Sequence, residues 1–189
     1  MSSLNETFEQ FLELLNRPGA LNPAKSDPLF YFVHDPTETN EVAQSIPVWS
    51  AALSNEGWTV EVVSLREILW GLVDASGRWD QWLELEGDVD PEDVNSAVRN
   101  VANTDNAFIK AVEAHVSEAR PQTIVFLTDA LLLHPFWRVH ALESGLHDRV
   151  RVPTVLFYPG RRSGQYGLHY LGFYPVDGNY RATMVGGGM

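Results

Sequence analysis

The chain has 189 residues, a net charge of −12 and no cysteine, which excludes disulfides, thiolate metal ligands and cysteine catalysis. Its length suits one domain, and its 44% of hydrophobic residues are enough to form a buried core. No apolar stretch approaches the roughly 20 residues that cross a bilayer, and the N-terminus lacks the basic and apolar regions of a signal peptide. We therefore expect a single cytoplasmic domain over residues 1–189, without membrane contact.

The charge is unevenly distributed along the chain. Residues 1–148 contain 24 of the 25 acidic residues, whereas residues 149–189 contain five arginines and Asp177 as their one acid. The acidic bulk would repel a nucleic-acid backbone, so we expect no direct sequence-specific nucleic-acid binding. The C-terminal arginines either attract an anion or an acidic partner, or they pair with acids upstream.

Four short apolar runs predict the strands of a parallel sheet. Continuous apolar sequence is typical of strands that helices cover on both faces, and helical patterns lie between these runs. We therefore expect a three-layer α/β fold with a mostly parallel central sheet. The four runs are Leu29–Val33, Val60–Val63, Thr123–Leu127 and Val152–Tyr158.

The helix after the first strand has a clear start signal. Asp35 is a natural N-cap, Pro36 suits the first helical position, and Glu38 is placed to complete a capping box. We expect this helix to run to about Asn55, with a kink or break near Ser45 because a proline lies inside it. Other helices outside the long connection described next are predicted at Ser3–Asn16 and Pro135–Ser144.

The connection between the second and third strands, Ser64–Pro121, is far longer than the dozen or so residues that a crossover needs. It contains several helical patterns, so we expect a helical insertion at about residues 65–120. Its segment Asp80–Asp93 has seven acids in fourteen residues, with no Lys or Arg between Arg78 and Arg99. That segment is either a solvated helical face or a docking surface for a basic partner.

The fourth strand leads into a cationic, glycine-rich segment. Pro159 and Gly160 are expected to end the strand, and Arg161 and Arg162 are expected to be exposed in the loop that follows. An anion could bind the amides and arginines of this loop, although its glycine spacing matches no standard nucleotide-binding motif. An Asp-Gly dipeptide predicts a C-terminal edge hairpin of the last two apolar runs, Leu168–Tyr174 and Tyr180–Val185.

No motif for catalysis or metal binding is found at the strand ends, where ligands bind in open α/β sheets. Asp35, Asp129 and His140 could form a hydrolase site there, but no nucleophile elbow accompanies them. The histidines lack metal-ligand spacing, so we expect no metal and no cofactor. Arg138 follows the third strand, and it could bind an anion, contact a partner or, as our default, pair with Asp129 or Asp35.

Several segments between about Leu29 and Val185 also match a known family in type and order. They are Phe32–Glu38, Asp90–Glu92, Val125–Leu142, Val155–Phe173 and Asn179–Ala182. On these segments the chain resembles BrxB, the small accessory component of BREX bacteriophage-defence systems. The segments Asp129–His134 and Tyr174–Gly178 depart from the family pattern.

The resemblance implies a non-enzymatic role, because no catalytic activity is assigned to the family. It implies an interaction or adaptor subunit that contacts the alkaline-phosphatase-like component PglZ and other BREX components. The alternative is a small-anion or nucleotide-binding regulatory module that uses the glycine and arginine loop after the fourth strand. The candidate partner- or anion-binding residues are Arg138, Tyr158, Gly160, Arg161, Arg162, Gln165 and Arg181.

Overall fold

A mostly parallel sheet between two helical layers organises the computed structural model, which describes residues 3–17, 27–85, 87–164, 167–178 and 182–188. The strands are β1 (Leu29–His34), β2 (Thr59–Ser64), β3 (Thr123–Thr128), β4 (Thr154–Ser163), β5 (Gly167–Tyr170), β6 (Val176–Asp177) and β7 (Thr183–Gly186). The helices are α1 (Ser3–Leu15), α2 (Thr39–Asn55), α3 (Leu65–Ala75), α4 (Trp79–Glu84), α5 (Pro91–Asn103), α6 (Ala107–Ser117) and α7 (Val139–Leu146). Short 3-10 turns occupy Pro36–Glu38, Thr104–Asn106 and Ala130–Leu133.

The central sheet has the strand order β2-β3-β4-β1-β7, and each neighbouring pair in it is parallel. The predicted α/β fold with a mostly parallel sheet is therefore confirmed. The helical insertion between β2 and β3 is confirmed as well, since α3 to α6 lie in that connection. Among the described residues, no helix has the length and apolar character that a membrane span requires.

The alternation of side chains along the strands produces two cores, one on each face of the sheet. In β1, Phe30 and Phe32 face α1 and α2, whereas Tyr31 and Val33 face the insertion helices and α7. All six residues of β1 are buried, so both faces of this strand are covered. Burying each large apolar side chain contributes about 1.5–3 kcal/mol, which is why continuous apolar runs mark these strands.

Helix α2 contains Pro47 and is nevertheless one continuous helix. A proline removes one helical hydrogen bond and crowds the preceding turn, and we therefore expected a break near Ser45. The prediction of a break is wrong, because α2 is continuous through Pro47. Val42, Trp49 and Leu53 are buried on one side of α2, so packing on both sides of the proline holds the helix against the sheet.

Strand β4 does not end at Pro159 and Gly160, and this part of the prediction is wrong. The strand continues to Ser163 and pairs antiparallel with β5 beyond the edge of the parallel sheet. Gly160 lies opposite Tyr170, and a Cβ atom there would come within 2.3 Å of the His169 carbonyl oxygen. Glycine is therefore needed for close pairing of the two strands rather than for a turn.

The last two apolar runs do not form the predicted hairpin with each other. β5 pairs with β4 and β6, whereas β7 adds to the parallel sheet beside β1, with Val185 opposite Phe32. Val185 is 2% exposed and belongs to the core beneath α1. Burial against β1 and α1 therefore decides where this run pairs, and an Asp-Gly signal does not contain that information.

We expect Gly160→Ala to destabilise the protein by about 1–3 kcal/mol, the usual cost of forcing extra atoms into a packed site. The reason is the approach of the new Cβ to the His169 carbonyl, which is a backbone atom of the paired strand. The matched control is Gly71→Ala in the exposed face of α3, where a Cβ meets nothing within 4 Å. That change should raise the unfolding free energy by about 0.5–1 kcal/mol. Urea denaturation measures both, and equal effects would contradict the prediction.

Candidate functional site

The start of the turn after β1 is fixed by a complete capping box. The Asp35 carboxylate accepts hydrogen bonds from the amide and the hydroxyl of Thr37, at 3.0 and 2.7 Å. The Glu38 carboxylate accepts from the Asp35 amide at 3.0 Å. The predicted start signal is confirmed. The first residues after Asp35 form a 3-10 turn, and this turn continues directly into α2.

Arg161 pairs with the same carboxylate. Its Nε and Nη2 atoms donate to Asp35 Oδ2 at 3.1 and 2.8 Å. The pair joins the end of β1 to the extension of β4, and the Arg161 side chain remains 69% exposed. An upstream acid therefore already engages this arginine, which was one of the two expectations for the C-terminal cations. Its role in binding stays a prediction.

The other candidates from the same segment have different surroundings. Tyr158 is fully buried and stacks on Tyr31, with 5.5 Å between the ring centroids, so it belongs to the core. Arg162 is half-buried, and its Nε atom has no hydrogen-bond partner among the described residues. Gln165 and Arg181 lie outside the described residues. The segment is thus a hairpin strand, and no open glycine loop is found in its described part.

The acids proposed for a hydrolase site lie at separate strand ends. Asp129 follows β3 and accepts a hydrogen bond from the Ser64 hydroxyl at the end of β2. Asp35 follows β1, and β4 lies between β1 and β3. Two strand spacings place these ends about 10 Å apart. The arrangement therefore does not bring the two carboxylates together as a catalytic pair.

Arg138 is the N-cap residue of α7 and does not lie inside the helix, because its extended backbone precedes the first helical residue. The predicted helix start at Pro135 is therefore wrong. Its guanidinium carbon lies 4.9 Å from the centroid of the Tyr174 ring. Asp35 and Asp129 have the other partners just described, and Arg138 forms no salt bridge within the described ranges. The expected pairing with either acid is wrong, and a cation–π contact takes its place.

Beside Arg138 lies a cleft of about 450 Å³ that we call the α5–α7 cleft. One wall comes from α5, where Arg99 donates to Glu92 at 2.8 Å. The opposite wall is the segment from Pro135 to Arg138, and Tyr174 closes one end. Of these residues, only Arg138 was predicted from the sequence as a candidate binding residue. The cleft forms where three distant segments meet, so no local spacing marks it.

A second surface feature is a set of apolar residues on the short helix α4 and at its C-cap. Trp79, Leu83 and Leu85 are 38%, 59% and 44% exposed. They lie among the acids Asp80 and Glu84, and we call these five residues the α4 surface. Within α4 itself no residue is buried. The α4 surface occupies the acidic segment that the sequence singled out for partner docking.

Asp27, His147 and Asp148 form a small polar cluster whose possible ligand atoms lie within 4.8 Å of one another. Asp27 accepts from the Asp148 amide at 2.9 Å, and His147 Nδ1 lies 2.9 Å from Asp148 Oδ2. These contacts tie the segment before β1 to the loop after α7. Exposed acids commonly cluster in this way without a metal, so the expectation of no metal site stays a prediction.

The contacts of Asp35 predict a dependence of stability on pH. Hydrogen bonds from the Thr37 hydroxyl and amide, and then Arg161, lower the pKa of Asp35 from 3.8 to about 2. A lowered pKa in the folded state contributes stability that is complete above the unfolded pKa and is lost as the pH falls through the folded one. The stability advantage of the wild type over Asp35→Asn should therefore shrink between about pH 5 and pH 2.

Urea denaturation at a series of pH values measures this difference. Thr37→Val removes the hydroxyl bond and keeps the amide bond, and it should weaken the pH dependence because the Thr37 hydroxyl is the largest single cause of the lowered pKa of Asp35. A difference between wild type and Asp35→Asn that stays constant over this range would refute the assignment.

Comparison with known proteins identifies the family. The family model described as BREX protein BrxB matches residues 61–185, about two thirds of the chain. The match contains the helical insertion, the α4 surface and the α5–α7 cleft. No match was found among curated proteins or among solved structures. The chain therefore belongs to the BrxB family, whose members are components of the BREX systems that defend bacteria against phage.

Proposed function

We propose that this chain is a non-enzymatic adaptor subunit of a BREX complex in the cytoplasm, and that it binds the PglZ-like component through the α4 surface. The observation that carries the proposal is the exposure of Trp79 and Leu83 on α4 and of Leu85, the residue that caps the end of this helix. Contiguous exposed apolar groups with a polar rim are typical of protein interaction sites. Tryptophan is also among the residues most often found at the energetic centre of interfaces.

Leu83 and Leu85 of the α4 surface are largely exposed in the isolated chain. A helix of six residues is too short to be stable by itself in water, and α4 buries no residue. It is held by Trp79, which stacks on Trp70 at 6.1 Å, and by Trp82, which packs against the core. Apolar groups in such a position lose contact with water only when a partner covers them, and this is the free energy that docking would gain.

The charge of the surroundings indicates the chemistry of the partner. Asp80 and Glu84 are exposed on α4, and the acidic segment continues to Asp93. An apolar centre with an acidic rim fits a partner surface that has an apolar pocket and basic side chains around it. Such complementarity raises the association rate and excludes acidic partners.

The alternative role in anion binding by the segment after β4 has less support. That segment is a strand of a hairpin, and Arg161 is engaged by Asp35. Gly160 is buried between paired strands, so its amide does not line an open loop. The adaptor role is therefore the function that we prefer.

Truncation of the apolar centre should weaken the complex. We expect the double change Leu83→Ala and Leu85→Ala to raise the Kd for the purified PglZ-like component by about tenfold or more, since central interface residues often contribute over 1 kcal/mol. The matched control is Val48→Ala, because Val48 is 67% exposed on α2, in the other helical layer. Biolayer interferometry gives both constants. An unchanged Kd for the α4 variant would place the interface elsewhere.

Reversal of the acidic rim should slow association. We expect Asp80→Lys with Glu84→Lys to lower the association rate, and the effect should fade between about 50 and 500 mM salt because ions screen exposed charges. The matched control is Glu9→Lys with Glu13→Lys, which makes the same change of net charge at the same spacing on α1. Equal slowing by both double variants would show that net charge alone acts, and it would contradict the proposed rim.

A further inference from the structure

The α5–α7 cleft has a chemistry that the adaptor role does not use. It lies between α5 and the start of α7, and its volume of about 450 Å³ is in the range of small-molecule sites. Three charged residues line it, Glu92, Arg99 and Arg138. Their net charge is +1, in a chain whose net charge is −12. A cationic cleft on an acidic protein attracts anions locally against the overall field.

Arg138 is placed to bind an anion. Its guanidinium rests on the Tyr174 ring, and it makes no ion pair within the described ranges. The contact with the ring holds the guanidinium beside the cleft, and its N–H groups are available as donors. Arginine held in this way is the side chain best suited to bidentate binding of phosphate or carboxylate.

The backbone adds to the positive potential. Arg138 is the N-cap of α7 and makes no side-chain capping bond, and Ala141 in the first turn also lines the cleft. The first amides of a helix point their N–H groups outward and bear a partial positive charge. The positive end of α7 and the guanidinium of Arg138 therefore act at the same place.

Arg99 supplies a second cation whose present partner can be exchanged. Its Nη2 atom donates to Glu92, and the two side chains are 39% and 66% exposed. An ion pair this exposed contributes little net free energy. The Glu92 carboxylate therefore marks the position where an anionic oxygen meets Arg99, and it would compete with a ligand for that position.

The remaining wall is aromatic. Phe136 and Tyr174 line the cleft together with Trp137, which is 9% exposed. The Trp137 Nε1 atom is buried and has no hydrogen-bond acceptor in the described part of the chain. Because this atom is not accessible to solvent, Trp137 contributes its ring to the wall of the cleft and not its N–H group. Aromatic walls beside arginines suit a flat ring that carries an anionic group.

From these features we propose that the α5–α7 cleft binds a nucleotide, with its phosphate on Arg138 and Arg99 and its base against the aromatic wall. This site is separate from the α4 surface, and its occupation does not depend on the adaptor role. The phosphate-binding residues lie in the helical insertion and at the start of α7, not in the hairpin after β4.

Titration calorimetry of the purified full chain with AMP, ADP and GDP tests the proposal. Pyrophosphate, which lacks a base, and adenosine, which lacks a phosphate, are the comparison ligands. We expect the nucleotides to bind more tightly than either half. Arg138→Gln should weaken binding about tenfold or more, and Glu92→Gln should strengthen it by removing the competing carboxylate. Arg66→Gln removes an exposed arginine that pairs with its neighbour Glu67 and does not line the cleft, and it should have no effect.

The gain expected from Glu92→Gln protects the test against variants that merely fold poorly, since a damaged fold cannot improve binding. We expect nucleotide binding to change the tryptophan fluorescence of the wild type. Loss of this change in Trp137→Phe would place the ligand in the cleft. Absence of binding at millimolar nucleotide would overturn the proposal. Equal binding of pyrophosphate and nucleotides would overturn the recognition of a base, and unchanged affinity in Arg138→Gln would overturn the site. Each of these results leaves the adaptor test unaffected, because no partner protein is present.

Discussion

The parallel pairing of β1 with β4 is the interaction on which the other parts of this protein depend. The two strands are in register from Leu29 and Thr154 to His34 and Pro159. Side chains alternate between the two faces, so Phe32 and Phe157 meet in one core and Tyr31 stacks on Tyr158 in the other. Each core is then covered by its own helical layer.

The same pairing extends to the candidate site through β4. Because β4 continues past the end of β1, it can pair with β5 and bring Tyr170 against Tyr158, with 5.8 Å between ring centroids. Tyr170 is followed by Tyr174, at 5.5 Å, and Tyr174 supports Arg138. Burial also raises the pKa of Tyr170, whose hydroxyl donates to the Ala130 carbonyl at 2.6 Å. A continuous series of rings therefore connects the centre of the sheet to the α5–α7 cleft.

Sequence reasoning succeeded where the decisive interactions are local. The apolar runs of β1 and β3 gave the parallel sheet because both faces of those strands are buried. The capping box of Asp35 and Glu38 is formed by residues three apart, so its pattern is visible without a structure. The acidic segment around α4 was visible for the same reason, and its acids Asp80 and Glu84 are exposed as expected.

The errors share a different physical origin, which is contact between distant residues. Pro159 and Gly160 are typical of the end of a strand, but both lie inside β4. A side chain at position 160 would collide with the His169 carbonyl of the paired strand, so a glycine is needed there. The last apolar run lies beside β1 because α1 covers Val185 there. The α5–α7 cleft requires Arg99, Arg138 and Tyr174 to converge from three parts of the chain. In each case the residue that determines the structure is distant in sequence, so no local sequence pattern predicts the contact.

The region that the family model matches is not the whole folded unit, because the central strand β1 lies outside it. The match covers residues 61–185 and therefore omits β1, which lies between β4 and β7 in the sheet. Without it, β7 would have no neighbouring strand, and Phe126 and Phe157 would lose the cover of α1 and α2. The region that the family model matches therefore lacks the strand that joins β4 to β7. The described residues before position 61 supply β1, α1 and α2, so the core on one face of the sheet is built partly from outside the matched region.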